Sequence, residues 1–298
     1  MTRPQLYRLV NANCQGDAFK DIAASSLRGE EAPGWLGLWP TPALINHSCA
    51  PNAQSLVIGE RLLVRATEEL AGGEEVTLSY LGQGLKLPLA QRRAELRDKW
   101  AFTCTCQRCR AEERAAGPGS ALGDLIQATH QRCQELSGSL EQAIEQQDGR
   151  KVVEIRAALE ALREEFEAAM RAAKVSSKAR RWLQASLYDL YDCLSIAADE
   201  LSGSDDGRRG SAGSGLDTES LAVCVRILES IGRGSDAQAY LAAEYMVRAG
   251  VRFGPQHEEA KQSKRLCEQA FTARYGPVSP ALMDSLVAAR LDADIDEA

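Results

Sequence analysis

Two stretches carry the residue types that can do chemistry. One is Asn46-His47-Ser48-Cys49-Ala50-Pro51-Asn52; the other is Cys104-Thr105-Cys106-Gln107-Arg108-Cys109. Three thiols within six residues are a metal-ligand pattern: Cys106 and Cys109 bite from one tight turn, and Cys104 joins from the same loop. Zinc takes four tetrahedral thiolate or imidazole ligands. On spacing alone the fourth ligand is Cys49 or His47, and either completes the set. The chain has nine cysteines in an uneven pattern. That is no disulfide framework, and clustered cysteines in a reducing compartment bind metal. Cys14, Cys133, Cys193, Cys224 and Cys267 read as core packing.

The elements around these stretches read as strands first and helices after. Leu6 to Val10 suits a short strand or a helix end, Asn11 to Asp17 a turn, and Ser25 to Gly34 an exposed loop. Gly34 to Pro40 is apolar and Gly-punctuated, which implies closely approached backbone. Gln54 to Ile58 and Arg61 to Ala66 form a hairpin across Gly59-Glu60. Val76 to Tyr80 alternates and predicts a strand ending at Tyr80. Leu89 to Trp100 changes to helical spacing. Ala115 to Ser120 reads as a domain boundary. Beyond it Ala, Leu, Glu, Gln and Arg predict helices near 121–147, 150–173, 177–201, 217–231, 236–250, 256–275 and 280–292. Ser202 to Gly215 is a Gly/Ser-rich linker, and Gly254-Pro255 and Gly276-Pro277 each end one helix before the next. The pattern resembles loosely repeated helical hairpins of the tetratricopeptide sort.

The composition is that of a globular chain, 44% hydrophobic and 26% charged over 298 residues. The net charge of -7 is uneven: residues 1–116 hold 14 basic and 13 acidic side chains, residues 117–298 hold 21 and 29. Neither part has the basic stripe of a nucleic-acid binder, and an acidic helical half suits a basic partner. No run approaches the roughly 18 apolar residues of a membrane span, and Met1 to Leu6 has no signal core. The expected location is cytoplasmic or nuclear.

Taken together, Asn46-His47-Ser48-Cys49 with Pro51-Asn52, Gly73-Glu74-Glu75, a strand ending at Tyr80 and Phe102-x-Cys104-x-Cys106-x-x-Cys109 resemble the C-terminal part of a SET domain with its post-SET segment. Gly37-Leu38-Trp39-Pro40, the Arg93 to Trp100 helix and the helical second half resemble the SMYD-like branch. The resemblance implies an α+β fold. A partial β-rich SET domain with a zinc-binding post-SET segment would occupy 1–112, and an all-α, TPR-like array 120–298, with a flexible linker at 202–215. It implies S-adenosylmethionine-dependent methyl transfer to a protein lysine, on a histone tail or another protein, with no direct nucleic-acid or membrane partner. Asn46, His47, Phe102 and Asn11 would contact the cofactor, Asn13 being a rival to Asn11. Tyr80 would line the lysine channel as the catalytic residue and also meet the cofactor. Cys49, Cys104, Cys106 and Cys109 would hold zinc.

One feature departs from the pattern. No Gly-x-Gly cofactor loop or MYND module stands before Thr2, so the N-terminal SET and MYND parts are expected to be absent. That leaves an alternative: a catalytically inactive, zinc-stabilised SET remnant acting as an interaction scaffold. Taken singly, Tyr80 is an ordinary strand-end aromatic and Asn46 an ordinary turn former; only their joint arrangement points to a site.

Overall fold

The computed structural model describes residues 13–16, 36–58, 61–203 and 217–292, with isolated positions before them. The architecture is α+β, with short strands first and helices after. Six strands are described: β1 (Cys14–Gly16), β2 (Leu36–Leu38), β3 (Asn46–His47), β4 (Ala53–Ile58), β5 (Arg61–Ala66) and β6 (Thr77–Leu78). They pair two by two: β1 with β2 and β4 with β5 antiparallel, β3 with β6 parallel.

The β4–β5 hairpin has the expected register, Gln54 opposite Arg65 and Ile58 opposite Arg61. Two strand expectations need correction. Cys14 to Gly16 is not a turn, because its extended backbone pairs with Leu36–Leu38. The strand expected to end at Tyr80 is only Thr77–Leu78, since its two-residue partner β3 ends at His47 and leaves nothing beyond to pair with. At Gly37 the backbone is closely approached as expected: a Cβ there would lie 2.2 Å from the Trp39 ring. Most of the N-terminal stretch, and 204–216, which takes in most of the expected linker, lie outside the described residues.

Ten helices are described: α1 (Leu89–Trp100), α2 (Gln107–Ala116), α3 (Ala121–Glu145), α4 (Gly149–Ala172), α5 (Ser177–Ala185), α6 (Tyr188–Gly203), α7 (Glu219–Ile231), α8 (Asp236–Phe253), α9 (Glu258–Tyr275) and α10 (Pro280–Asp292). Several begin where a hydroxyl or carboxylate satisfies a free first-turn amide. Ser120 accepts from Gly123, Asp148 from Lys151, Ser176 from Ala179 and Ser235 from Gln238. Gly254 and Gly276 close α8 and α9 with φ of 81° and 89°, angles that favour glycine.

The helix expected at 177–201 is two helices, broken at Ser186-Leu187. No Gly or Pro marks the break. There the amides of Ser186 and Leu187 bond to Leu183 and Gln184 in tightened turns. Helix α2 lies on the cysteine-rich stretch, where no helix was expected, and begins directly after Cys106.

Consecutive helices pack in hairpins, α3 on α4 and α8 on α9, while α6 bridges α3, α4 and α7. One apolar core runs from Cys49, Leu81, Leu96 and Cys109 through Leu122, Ile126 and Leu159 to Tyr191 and Ile231, so it crosses Gly117–Ser120 without interruption. A second core joins α7, α8 and α9 around Tyr245 and Phe271. No described helix is long and apolar enough to cross a membrane.

Candidate functional site

The parallel pairing of β3 with β6 sets Asn46 beside Thr77 and His47 beside Leu78, and the Ser48 amide donates to the Leu78 carbonyl at 2.9 Å. Buried Asn52 clasps the same two segments. Its amide donates to the Glu75 carbonyl at 2.9 Å, and its Oδ1 accepts from the Thr77 amide at 2.8 Å and hydroxyl at 3.2 Å. Asn52 stood in the motif as a turn residue; its clasp role has no sequence signal, because its partners lie 23 to 25 residues away.

This pairing delivers Tyr80. Its amide donates to His47 Nδ1 at 3.0 Å and its hydroxyl to the Ile45 carbonyl at 2.6 Å. Burial raises the Tyr80 hydroxyl pKa, so the phenol keeps its proton. The rings of His47, Tyr80, Trp100 and Phe102 form a cluster: Tyr80 lies 5.3 Å from His47, 5.4 Å from Trp100 and 6.4 Å edge-on from Phe102, and His47 lies 6.0 Å from Phe102. A cavity of about 650 Å³ opens against them, with Asn46 and Glu75 also in its wall. That volume is within the range of small-molecule sites. Asn46 donates to Glu75 Oε1 at 2.6 Å.

The structure therefore brings Asn46, His47, Tyr80 and Phe102 to one cavity. Asn11 lies outside the described residues, and its rival Asn13 does not line the cavity. A larger hollow of about 780 Å³ lies away among α4, α6, α7 and α8, where Arg156 and Arg163 stand against Glu160 and Glu219.

The sulfurs of Cys49, Cys104, Cys106 and Cys109 lie within 4.8 Å of one another. Cys49 is 3.9 Å from Cys104 and 3.5 Å from Cys109. A tetrahedron with metal–sulfur bonds of about 2.3 Å has edges of about 3.8 Å, so the four thiols fit a zinc ion. Hydrogen bonds from Cys104, Cys106 and Cys109 hold the Cys49 thiol well below its ordinary range. Cys106 falls to about 5 through bonds from Cys104 and Cys109, while Cys104 and Cys109 are pushed up. Without a cation the cluster cannot carry four negative charges; a divalent ion lets it.

Cys49, rather than His47, is the side chain that groups with the triplet. His47 Nδ1 accepts the Tyr80 amide, which puts the ring proton on Nε2, 3.3 Å from Cys49 Sγ. His47 thus links the thiol cluster to Tyr80 through its two ring nitrogens.

Three buried charges beneath the cluster escaped the sequence reading. Arg92 on α1 and Arg108 on α2 are fully buried, and Glu112 is 2% exposed. Arg92 pairs with Glu112 Oε2, Arg108 donates to Glu112 Oε1 at 2.7 Å, and Arg92 Nη2 lies 3.9 Å from Cys109 Sγ. Arg108 also donates to the carbonyls of Cys49 at 3.1 Å and Leu85 at 2.8 Å. Arg92 Nε and Arg108 Nη2 have no hydrogen-bond partner. Two buried guanidiniums against one carboxylate call for negative charge beside them, and a thiolate cluster around a divalent ion would supply it. Helical spacing alone does not separate a snorkelling arginine from a buried one, so it gives no sign of them.

Comparison with known proteins agrees with this geometry. Residues 9–81 match the SET domain family. That stretch is similar to SET domains, and the chain is similar to proteins of the SMYD kind. It is 36% identical over 105 residues to mouse histone-lysine N-methyltransferase SMYD3, and 37% identical over 105 residues to human N-lysine methyltransferase SMYD2. Each match takes in 35% of this chain and 22% of the relative, so the matched stretch spans about a fifth of the length of those curated proteins.

Proposed function

We propose that this SET protein transfers a methyl group to the side-chain amine of a protein lysine. The observation that carries this reading is the convergence of Asn46, His47, Tyr80 and Phe102 on one cavity, backed by a thiol cluster through the His47–Cys49 contact. An intact, ring-lined cavity favours catalysis over a scaffold role. The activities of those relatives, histone-lysine and lysine methyl transfer, point the same way.

The ring faces, the Asn46 amide and the Glu75 carboxylate form a donor set suited to a heteroaromatic group and a cation. They fit S-adenosylmethionine, which when bound supplies the methyl group. Asn46 and His47 would hold it, with Phe102 against its aromatic part, and Asn11 remains a candidate contact.

Tyr80 positions the amine. Its proton is committed to the Ile45 carbonyl, which leaves the phenol oxygen free to accept from a lysine N–H. The aromatic wall disfavours the ammonium form and so favours the neutral amine that must react. Positioning is the main contribution the protein makes to such a displacement. Zinc on Cys49, Cys104, Cys106 and Cys109 would fix the segment that carries Phe102. In this reading 1–112 is the SET and post-SET unit and 120–298 the helical unit. The substrate is a protein, with a basic segment such as a histone tail suited to the Glu68, Glu74 and Glu75 side of the cavity. The working compartment is cytosol or nucleus, where the thiols stay reduced.

The test is calorimetric titration of the zinc-loaded chain with S-adenosylmethionine, followed by methyl transfer to a lysine peptide library. Binding that Asn46→Ala abolishes, with transfer lost in Tyr80→Phe while cofactor binding is kept, is the expected result. A folded, zinc-containing chain that binds no cofactor would sink the proposal.

A further inference from the structure

A second cavity, of about 390 Å³, opens where the β4–β5 hairpin meets the helical array. Its wall carries Arg65 from β5, Arg233 from the α7–α8 turn and Arg265 from α9. None of the three has an ion-pair partner among the described residues. Glu68 and Glu268 are the opposing charges in the wall, so the cavity is net basic within a chain of net charge -7. Three guanidiniums in the wall of one hollow favour an anion there, and their planar forks match carboxylates.

The seam is shaped for this placement. Gly276, at φ 89°, leaves the space that the Arg65 guanidinium fills; a Cβ there would lie 2.8 Å from Arg65 Nη2. Gly234, at φ 73°, lets the α7–α8 turn approach Thr67, whose methyl would be 3.1 Å from a Cβ. Glu68 lines this cavity and also the cavity at Tyr80, so the two openings share a wall.

We propose that Arg65, Arg233 and Arg265 form a subsite that reads an acidic stretch of the polypeptide whose lysine enters the Tyr80 cavity. The three arginines stand on three separate elements, which suits carboxylates spaced along a chain. The part of the inference that assigns the peptide as substrate rests on the lysine-transfer reading; the binding itself does not.

The experiment has two arms. In the first, fluorescein-labelled hexaglutamate and hexaglutamine are titrated into the full zinc-loaded chain by fluorescence polarisation. Hexaglutamate binds, hexaglutamine does not, and Arg65→Ala/Arg265→Ala weakens binding by about tenfold or more. Both side chains are exposed, so the variant keeps its fold, which circular dichroism checks. In the second arm, lysine peptides with a glutamate or a glutamine flank are compared as methyl acceptors. The glutamate flank lowers KM in the parent chain with kcat unchanged, and the variant loses the difference. Equal binding of the two probes, or hexaglutamate binding unchanged in the variant, overturns the subsite. Hexaglutamate binding without transfer to any lysine peptide leaves the subsite standing and removes the lysine-transfer reading.

Discussion

Glutamine at position 112 removes the carboxylate held between two fully buried guanidiniums. Glu112 accepts from Arg92 and from Arg108, and neither arginine can reach water by a rotamer change alone, since both are 0% exposed. Burial and the neighbouring Arg92 charge already hold Arg108 below its ordinary range. Breaking a buried ion pair from one side costs about 3–5 kcal/mol, because the remaining charge is left uncompensated. A stability of roughly 5–15 kcal/mol is typical of a domain, so the loss is a large fraction of the total. With an m value of about 3 kcal/mol/M, the urea midpoint of Glu112→Gln falls by roughly 1 M or more. Glu113 is the control. It is the next residue, of identical chemistry, and it grips Arg93 at 2.8 and 2.9 Å, but it is about half exposed. Water replaces what Glu113→Gln removes, so its midpoint stays close to the parent's. Chemical denaturation of the three zinc-loaded proteins, followed by circular dichroism, decides the matter. Equal midpoints for Glu112→Gln and Glu113→Gln would refute the reasoning.

Cys109→Ser and chelation of the parent chain both release the ion, read by a colorimetric zinc assay, and both lower Tm, because metal binding free energy is folding free energy here; metal retained at the parent's stoichiometry in Cys109→Ser would count against the site. Asn52→Ala takes the acceptor from the half-buried Thr77 amide and costs about 1 kcal/mol, measured as a fall in Tm with the zinc content unchanged. The Glu167 carboxyl titrates below its ordinary value: burial alone would raise it, but hydrogen bonds from Arg180, Tyr191 and Gln184 outweigh that. A depressed carboxylate pKa contributes stability above the unfolded value and loses it as pH falls through the folded one. Glu167→Gln therefore flattens the acid limb of the stability profile below about pH 4.5 and lowers stability at neutral pH; a parallel profile would refute this.

The sequence by itself determined what short-range patterns encode. The Cys104-x-Cys106-x-x-Cys109 bite, the hairpin at 53–66, the Leu89–Trp100 helix and the succession of helices after Gly117 all follow from spacing, periodicity and turn residues within a few positions of one another. Tertiary structure decided what depends on residues far apart in the chain. Cys49 meets Cys104 and Cys109 across 55 and 60 positions. His47 became a donor to the Cys49 sulfur only because the Tyr80 amide, 33 positions on, takes its Nδ1. Asn52 clasps Thr77, Arg92 and Arg108 lie inside the core, and Ser186 ends a helix that no Gly or Pro interrupts. Local preference is set by neighbours along the backbone, whereas the burial of a charge or the partner of a ring nitrogen is set by what packing brings against it.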